Sequence, residues 1–393
     1  MRRSFNIILF SSIIISTSCS DLSQEYDNEN AKITINIDEI ISNDPIYFSE
    51  LFSNFKFIPL ETSEDAIFSA IDNLKLVNDT IFIFDRFKTK SVFMFTRDGS
   101  FINKIQHIGR GPGEYIYPVD FDVDPINRTI AIFDMATRKL NFYTYEGVFL
   151  QSLDLIESFF SFVFNADRLY SLKSPNELMN KDDNLVYIFD MEGNVINQVV
   201  QFDRRNYITN FIHFFAGGHF YSSKNDVKFF MPYKTAILSI NEKGIHPFIS
   251  LNTNKYRLTN EELSKINEEL ALLPSTIGIN KLFHIREYSE NDKKAYFKFN
   301  IGMKVYHTFH YFTSNKTIST NRLIDDLTFI NPSLFQLHND HMIGIINSSQ
   351  LLNFKRRVAS NKLDISEKDK ARVLELFEIP DYNNPIIVMF DLK

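Results

Sequence analysis

The sequence predicts an all-β fold, a six-bladed β-propeller closed by a strand from its N-terminal region and carrying two short helical insertions. Three observations predict it. Aromatic residues are 15% of the 393, as 40 Phe and 17 Tyr with no Trp, and such side chains suit the packed, pleated surface of a strand. A unit of four short strands recurs along the chain, the pattern of a propeller blade. Gly99, Gly147, Gly193 and Gly244, spaced 48, 46 and 51 residues apart, each follow Asp, Glu or Lys between alternating strands, where a tight hairpin needs a residue tolerant of positive φ. With 44% hydrophobic and 23% charged residues the chain can bury a core, and 12 Gly and 12 Pro exclude a fibrous repeat.

The first residues stand outside that pattern. Arg2 and Arg3 precede an apolar run from Ile7 to Ile15 that ends in Ser16, Thr17 and Ser18 before Cys19, the layout of an export signal. A bilayer-spanning helix takes about 20 apolar residues, more than this run or any later window offers, so no transmembrane span is expected. Cys19 is the only cysteine, which excludes an intramolecular disulfide and thiolate metal clusters. Small residues followed by this cysteine resemble a bacterial lipobox, which implies cleavage before Cys19 and a lipid upon it. Residues 20–30 are polar and acidic (Ser20, Asp21, Glu25, Asp27, Asn28, Glu29, Asn30) and read as a flexible tether. The domains expected are therefore a signal peptide over 1–18, a tether over 19–32 and the propeller over 33–393. The formal net charge is -7; cleavage removes two arginines and no acids, leaving 40 basic against 49 acidic residues, a net of -9. Nucleic acid is not an expected partner of so acidic a chain.

The first two units, Leu74 to Ile105 and Phe121 to Leu153, match element for element. Each has an apolar strand, a polar turn, a short strand ending in Phe-Asp (Phe84-Asp85, Phe133-Asp134), an alternating strand, and Asp-Gly or Glu-Gly before a last strand. Leu185 to Val199 and Thr235 to Ile249 repeat the second half. Thr259-Asn260-Glu261-Glu262 is a capping box, with Leu263, Ile266, Leu270 and Leu273 at helical spacing behind it, and marks the first insertion. Strand patterns resume at Leu282 to Tyr288, Ala295 to Ile301, Val305 to Phe312 and Thr317 to Asn321. The sixth unit uses Leu334 to Leu337, His341 to Ile346, a second capped helix from Ser366 with Val373, Leu374 and Phe377, and Pro385 to Leu392. Its missing fourth strand is expected from the N-terminal region, where Ile33, Ile35 and Ile37 alternate with polar residues, as do Phe55 and Phe57. Borrowing that strand leaves no open edge.

Phe57-Ile58-Pro59-Leu60-Glu61-Thr62 ahead of the first unit, and Ile108-Gly109-Arg110-Gly111-Pro112-Gly113-Glu114-Tyr115 between the first and second, resemble the six-bladed β-propeller lipoproteins of Bacteroidetes, which are related to NHL-repeat propellers. The resemblance covers roughly Ile33 to Lys393. The acids behind Cys19 resemble the surface-export signals of those lipoproteins. Together these imply an outer-membrane, lipid-anchored protein on the periplasmic or cell-surface face. The family's molecular function is largely unassigned, so the resemblance implies shape and compartment more than chemistry.

The Gly109 to Glu114 loop is the sharpest local feature. Its glycines would let backbone amides approach a ligand while Arg110 and Glu114 supply charge, so Arg110, Gly111, Gly113 and Glu114 are the candidate ligand-binding residues. The competing reading is a blade connection of unusual φ/ψ, with Arg110 and Glu114 paired to each other or to a neighbouring blade. The run lacks the Lys-Ser/Thr of a P-loop and leads into a strand, which argues against a nucleotide. Asp85 and Asp134 read as caps of equivalent turns. Asp120, Asp122 and Asp124 lack the Gly and distal Glu of a calcium loop and read as solvated turn acids. His307 and His310, like His338 and His341, are three apart, which within a strand puts the rings on opposite faces and makes no easy chelate. No Gly-x-Ser-x-Gly elbow is present, and no metal or cofactor is expected. The leading expectation is a non-catalytic, lipid-anchored module for a peptide, glycan or partner protein. The alternatives are a hydrolase or lyase with a central, metal-assisted site, whose carboxylates would come from different blades and leave no local motif, and an accessory component of an outer-membrane uptake complex.

Overall fold

In the computed structural model, residues 30–174, 183–201, 218–224, 226–241, 244–269, 274–360, 366–380 and 384–393 are described. The expected signal peptide and Cys19 lie outside them. Four N-terminal strands, β1 (Ile33–Asn36), β2 (Ile41–Ser42), β3 (Ile46–Tyr47) and β4 (Phe52–Pro59), precede the first blade. Blade one is β5 (Asn73–Val77), β6 (Thr80–Asp85), β7 (Ser91–Thr96) and β8 (Phe101–Ile105). Blade two is β9 (Pro118–Asp124), β10 (Thr129–Asp134), β11 (Lys139–Thr144) and β12 (Phe149–Asp154). Blade three is β13 (Phe159–Asn165), β14 (Arg168–Lys173), β15 (Asn184–Phe189) and β16 (Val195–Gln201). Blade four is β17 (Phe220–Ser222), β18 (Val227–Phe229), β19 (Ala236–Asn241) and β20 (Gly244–Asn252). Blade five is β21 (Leu282–Glu290), β22 (Lys294–Ile301), β23 (Lys304–Tyr311) and β24 (Lys316–Thr320), followed by the short β25 (Leu323–Ile324). Blade six is β26 (Ser333–His338), β27 (His341–Ile346) and β28 (Ile386–Leu392), completed by β4.

Closure comes from β4, which lies antiparallel on β28 with Phe57 opposite Val388 and Phe55 opposite Phe390. Of the two candidate segments, the one around Phe55 and Phe57 therefore closes the ring. Ile33–Asn36 instead adds a fifth, parallel strand to blade four, and β2 does the same for blade five. These segments form a strap that stitches the chain's start across two blades.

Both faces of every blade are covered by a neighbour, which is why the strands read as nearly continuous apolar runs. The alternation along a strand decides which interface each side chain enters. In β6, Ile81 and Ile83 pack with Ile58, Ile343 and Ile387 of blade six, while Phe82 and Phe84 pack with Phe121, Ile130 and Ile132 of blade two. Similar clusters fill the remaining interfaces: Phe133 and Leu140 against Phe162 and Phe189, Leu172 and Val186 against Phe229 and Leu238, Ile237 and Ile249 against Phe297 and Phe299, and Phe309 against Leu337, Met342 and Phe390. Each buried Phe is worth about 1.5–3 kcal/mol relative to its exposed state.

Three of the four periodic glycines have a second role besides positive φ; a Cβ on Gly244 would meet nothing within 4 Å. A Cβ on Gly99 (φ +94°) would lie 2.2 Å from the Pro59 carbonyl, one on Gly147 (φ +82°) 3.3 Å from the Asn103 amide, and one on Gly193 (φ +87°) 2.9 Å from Leu153. Each of these turns, between the third and fourth strands of its blade, is thus seated on the outer strand of the preceding blade.

Helical segments interrupt the ring as insertions. Asn260–Glu268 follows the expected capping box, in which Thr259 accepts from the Glu262 amide and Glu262 accepts from the Thr259 amide. It buries Ile266 against Ile279; Leu270 and Leu273 lie outside the described residues. The insertion between β27 and β28 is larger than expected. It opens with an additional helix, Ser348–Ala359, capped by Asn347 and Gln350, before the Ser366-capped Glu367–Val373 and Glu375–Glu378. Its buried contacts are Leu351, Phe354, Val373 and Leu376, whereas Leu374, expected on the apolar stripe, is 59% exposed. Leu374 keeps helical backbone (φ -57°, ψ -40°), and at about 100° per residue it turns away from the face on which Val373 and Leu376 are buried. In a meander of four antiparallel strands, second-to-third turns and blade-to-blade connections leave from the same end. Both helical insertions, the 108–115 loop and the starts of the inner strands therefore share one face of the propeller.

Candidate functional site

The 108–115 loop is held by its own backbone and by the blade it leads into. Gly109 donates to the Tyr115 carbonyl at 3.1 Å, Tyr115 to the His107 carbonyl at 2.8 Å and Glu114 to the Gly111 carbonyl at 3.0 Å. The Glu114 carboxylate turns inward and accepts from the Gly111 amide at 2.7 Å. The Tyr143 hydroxyl donates to the Gly113 carbonyl at 2.8 Å, and its ring stacks on His107 at 5.4 Å. Gly113 is buried with φ +74°, and a Cβ there would meet the Phe149 ring at 2.4 Å. The Tyr115 hydroxyl donates to the Lys90 and Ile105 carbonyls, tying the loop to blade one. Glu114, Gly111 and Gly113 are thus brought together to shape the loop. Arg110 is exposed and forms no ion pair with Glu114 or any other described residue.

The inner strands carry a closed circuit of polar links that local motifs do not reveal. From blade one, Asn73 donates to Asp120 at 2.9 Å and the Lys75 ammonium donates to Asp122 at 2.6 Å. The second oxygens of the same carboxylates accept from blade three: Asp120 from the Ser161 hydroxyl and the Phe162 amide, Asp122 from the Phe164 amide at 2.7 Å. Blade three continues through Asn165 to Ser222 and Ser223. The Tyr221 hydroxyl donates to the Glu290 carbonyl, the Leu337 amide donates to Ser289, and Gln336 reaches the Leu74 carbonyl at 3.5 Å to complete the turn. Asp120 and Asp122, expected as solvated turn acids, are only 7% and 5% exposed. An innermost strand has no partner on its channel side, and the unpaired amides of Phe162 and Phe164 recruit carboxylates from the preceding blade. Asp124 alone caps a turn, accepting from the Ile126 and Asn127 amides. Burial raises the pKa of Asp120, opposed by Lys75 and the donors of blade three. Asp85 and Asp134 do cap their turns: Asp85 accepts from the Lys88 and Ser69 amides, Asp134 from the Ala136 and Tyr117 amides.

Above this circuit, on the face shared by the connections, lies a cavity of about 70 Å³ lined by Asp72, Asn73, Arg86, Asp120, Ser161 and Gly218, among others. Such a volume holds one carboxylate-sized group or roughly two waters. Among the described residues that line this cavity, Arg86 is the cation. Its backbone amide is fixed by Asp72 at 2.8 Å, its guanidinium sits 4.2 Å from the Phe87 ring centroid and 5.5 Å from that of Phe160, and one nitrogen reaches the Val119 carbonyl at 3.5 Å. Its Nε is buried without a hydrogen-bond partner among the described residues. Sequence reasoning passed over Arg86, because its signal is only its place after the Phe-Asp turn, and what it faces comes from blades two and three.

Blade five holds a second polar group. Lys298 is buried, pairs with Glu287 and donates to the Leu334 carbonyl, and burial lowers its pKa against the opposing pull of Glu287. His307 accepts or donates at 2.9 Å to the Tyr296 hydroxyl; burial, with Lys298 and Arg286, pulls its pKa down to about 3. His310 bonds Thr317. His338 and His341 belong to two strands of one hairpin and stand directly opposite each other, so the expectation of opposite faces fails for that pair. His341 instead pairs with Asp391 at 2.9 Å. No group of three or more His, Cys, Asp or Glu side chains that could hold a metal ion occurs among the described residues.

The fold and its polar circuit define a six-bladed β-propeller. The chain belongs to the family described as Domain of unknown function (DUF4934), whose model matches residues 32–391. The fold is shared with a candidate exported protein of Bacteroides fragilis, at TM-score 0.75 and 18% identity over 92% of this chain and 99% of that one. A member of the DUF4221 family from Bacteroides vulgatus aligns at TM-score 0.50 and 12% identity over 88% and 98%. A virginiamycin B lyase from Staphylococcus aureus aligns at 0.43 and 12% over 74% and 82%, a likeness too distant to carry chemistry. No curated protein matches the sequence.

Proposed function

We propose that this propeller is a non-catalytic binding module, anchored to the outer membrane through a lipid on Cys19, that holds a peptide, glycan or partner protein against its connection face. The observation that carries the reading is Arg86: a half-buried guanidinium with an unsatisfied Nε, opening onto a cavity sized for one carboxylate or carbonyl group. Arg110, exposed on the same face, adds a second cation beyond it. A hydrolytic role would need free carboxylates at the channel, and support for a binding role comes from the commitment of Asp120 and Asp122 to donors of the flanking blades. The export layout of residues 1–19 supports the anchor. The test is a pull-down of the lipidated chain from its native outer membrane with identification of co-purifying proteins and glycans, repeated with Arg86→Ala and Arg110→Ala. Retention of the partner by wild type and its loss, by about tenfold or more, from the Arg86 variant is expected. Equal recovery from both variants would remove this face from the reading, and Cys19→Ser leaving the protein in the membrane fraction would remove the anchor.

A further inference from the structure

We propose that a second cavity, on the rim of the same face between blades four and five, binds the oxyanion of an acidic sugar, a uronate or a sulfate ester carried on a hydroxylated ring. It rests on residues other than Arg86 and stands apart from the channel-mouth reading. The cavity is about 240 Å³, several times a water's share of roughly 30 Å³ yet below the roughly 300–1,000 Å³ of pockets that enclose a whole ligand. One ring fits it, presented by something larger.

Its walls come from three places far apart in sequence: the strap at residues 38–43, the connection after β20, and the start of β23 in blade five. Lys255 and Lys304 line it from different segments, both exposed, and neither forms an ion pair among the described residues. Arg322 stands at the rim, donating to the Asn43 carbonyl at 3.1 Å. The two nearby acids are already committed. Asp38 accepts from the Thr253 hydroxyl at 2.6 Å and from the Asn254 and Lys255 amides at 2.9 and 3.4 Å, and Asp44 takes the Ser42 hydroxyl at 3.0 Å. In a chain of net charge -7, three cations here outnumber two carboxylates, of which Asp38 lies in the lining and attracts Lys255.

The remaining lining selects more than a bare ion. Tyr306 is buried and stacked on Phe299 with centroids 5.1 Å apart, and its hydroxyl has no hydrogen-bond partner among the described residues. Tyr256 lies beneath the Lys255 ammonium, 5.0 Å from its ring centroid. A rigid phenol and the Asn43 amide offer neutral partners of the kind sugar hydroxyls use, while the two ammonium groups take the oxyanion as charge-assisted hydrogen bonds. Because the strap forms one wall, an occupant would also pin residues 33–47 against blades four and five, and binding there stabilises the folded strap by mass action.

The mature chain would be titrated calorimetrically with glucuronate, glucose 6-sulfate, inorganic sulfate and glucose, with hydrogen exchange followed over residues 33–47. Saturable binding of either acidic sugar is expected, with slowed exchange in the strap, at least tenfold weaker binding by the Lys255→Ala/Lys304→Ala double variant, and no change in Arg86→Ala. Both lysines are exposed, so the double variant should fold as wild type by circular dichroism. The choice between glucuronate and glucose 6-sulfate identifies the oxyanion. Absence of binding by both, or equal affinity in the double variant, would overturn the proposal. Binding of inorganic sulfate as tight as that of the sugars would overturn the ring.

Discussion

At the scale of single residues, backbone conformation and burial decide more than side-chain identity. Gly111 and Gly113 look interchangeable in sequence, yet only Gly113 has positive φ and a ring against its missing Cβ; a Cβ on Gly111 meets nothing closer than the movable Glu114 carboxylate. Gly113→Ala should therefore lose at least the 1–2 kcal/mol of left-handed strain, with the Phe149 clash added, while Gly111→Ala stays near wild type in thermal unfolding. Equal losses would mean that the loop's shape is set elsewhere. His307 gives a pH signature. Its folded pKa, about 3, lies below the ordinary 6.5, so the neutral ring contributes its stability above pH 6.5 and loses it as pH falls from about 6.5 towards 3. The slope is about 1.4 kcal/mol per pH unit where the unfolded ring is protonated and the folded one is not. Urea melts of wild type and His307→Gln across pH 4 to 7 should diverge in slope, the variant being flatter; parallel curves would place the histidine in contact with water.

At the scale of elements, the inner strands explain why polar residues sit where a core might be expected. Asp120 accepts from the Asn73 amide and Ser161 hydroxyl side chains and the Phe162 backbone amide, donors all, and Asn in its place turns an NH₂ group towards one of them. Asp120→Asn should cost about 1–3 kcal/mol, measured as a lowered denaturant midpoint with unchanged m-value. A neutral outcome would mean that water serves these donors instead. The helices show how much of an insertion can be read locally. Thr259 and Glu262 announced their helix, and Asn347-Ser348-Ser349-Gln350 is an equally complete capping box that the sequence analysis did not single out. Leu374 is exposed because helical rotation places it off the face that buries Val373 and Leu376.

At the scale of the whole molecule, closure and strap have separable roles. Removing residues up to 59 deletes β4 and bares Val388 and Phe390 on the edge of β28, and such an open apolar edge promotes aggregation. Removing residues only up to 47 deletes the strap strands and leaves the closing strand in place. The shorter truncation should remain monodisperse and melt cooperatively at a lower temperature, while the longer one should aggregate in size-exclusion chromatography. Cooperative melting of both would assign closure to the side-chain circuit around the channel.

Much of the architecture was legible in the chain: strand patterns, the roughly 48-residue period of the hairpin glycines and the Phe-Asp turns come from local conformational demands, and these are written residue by residue. The N-terminal borrowing followed from counting strands, since a ring cannot leave an edge, but which segment closes it was settled by packing, where the Phe57 side of β4 fits blade six and Ile35 fits blade four. The site was much less legible. The Gly109 to Glu114 loop stood out because unusual backbone needs unusual residues, and three of its four candidates turned out to hold the loop itself. Arg86 and Asp120 acquire their partners, and Lys255 and Lys304 come to line one cavity, only when segments tens to hundreds of residues apart are brought side by side. A composition-level count of acids and bases carries no record of that convergence, because a propeller assembles its polar face from one or two residues per blade.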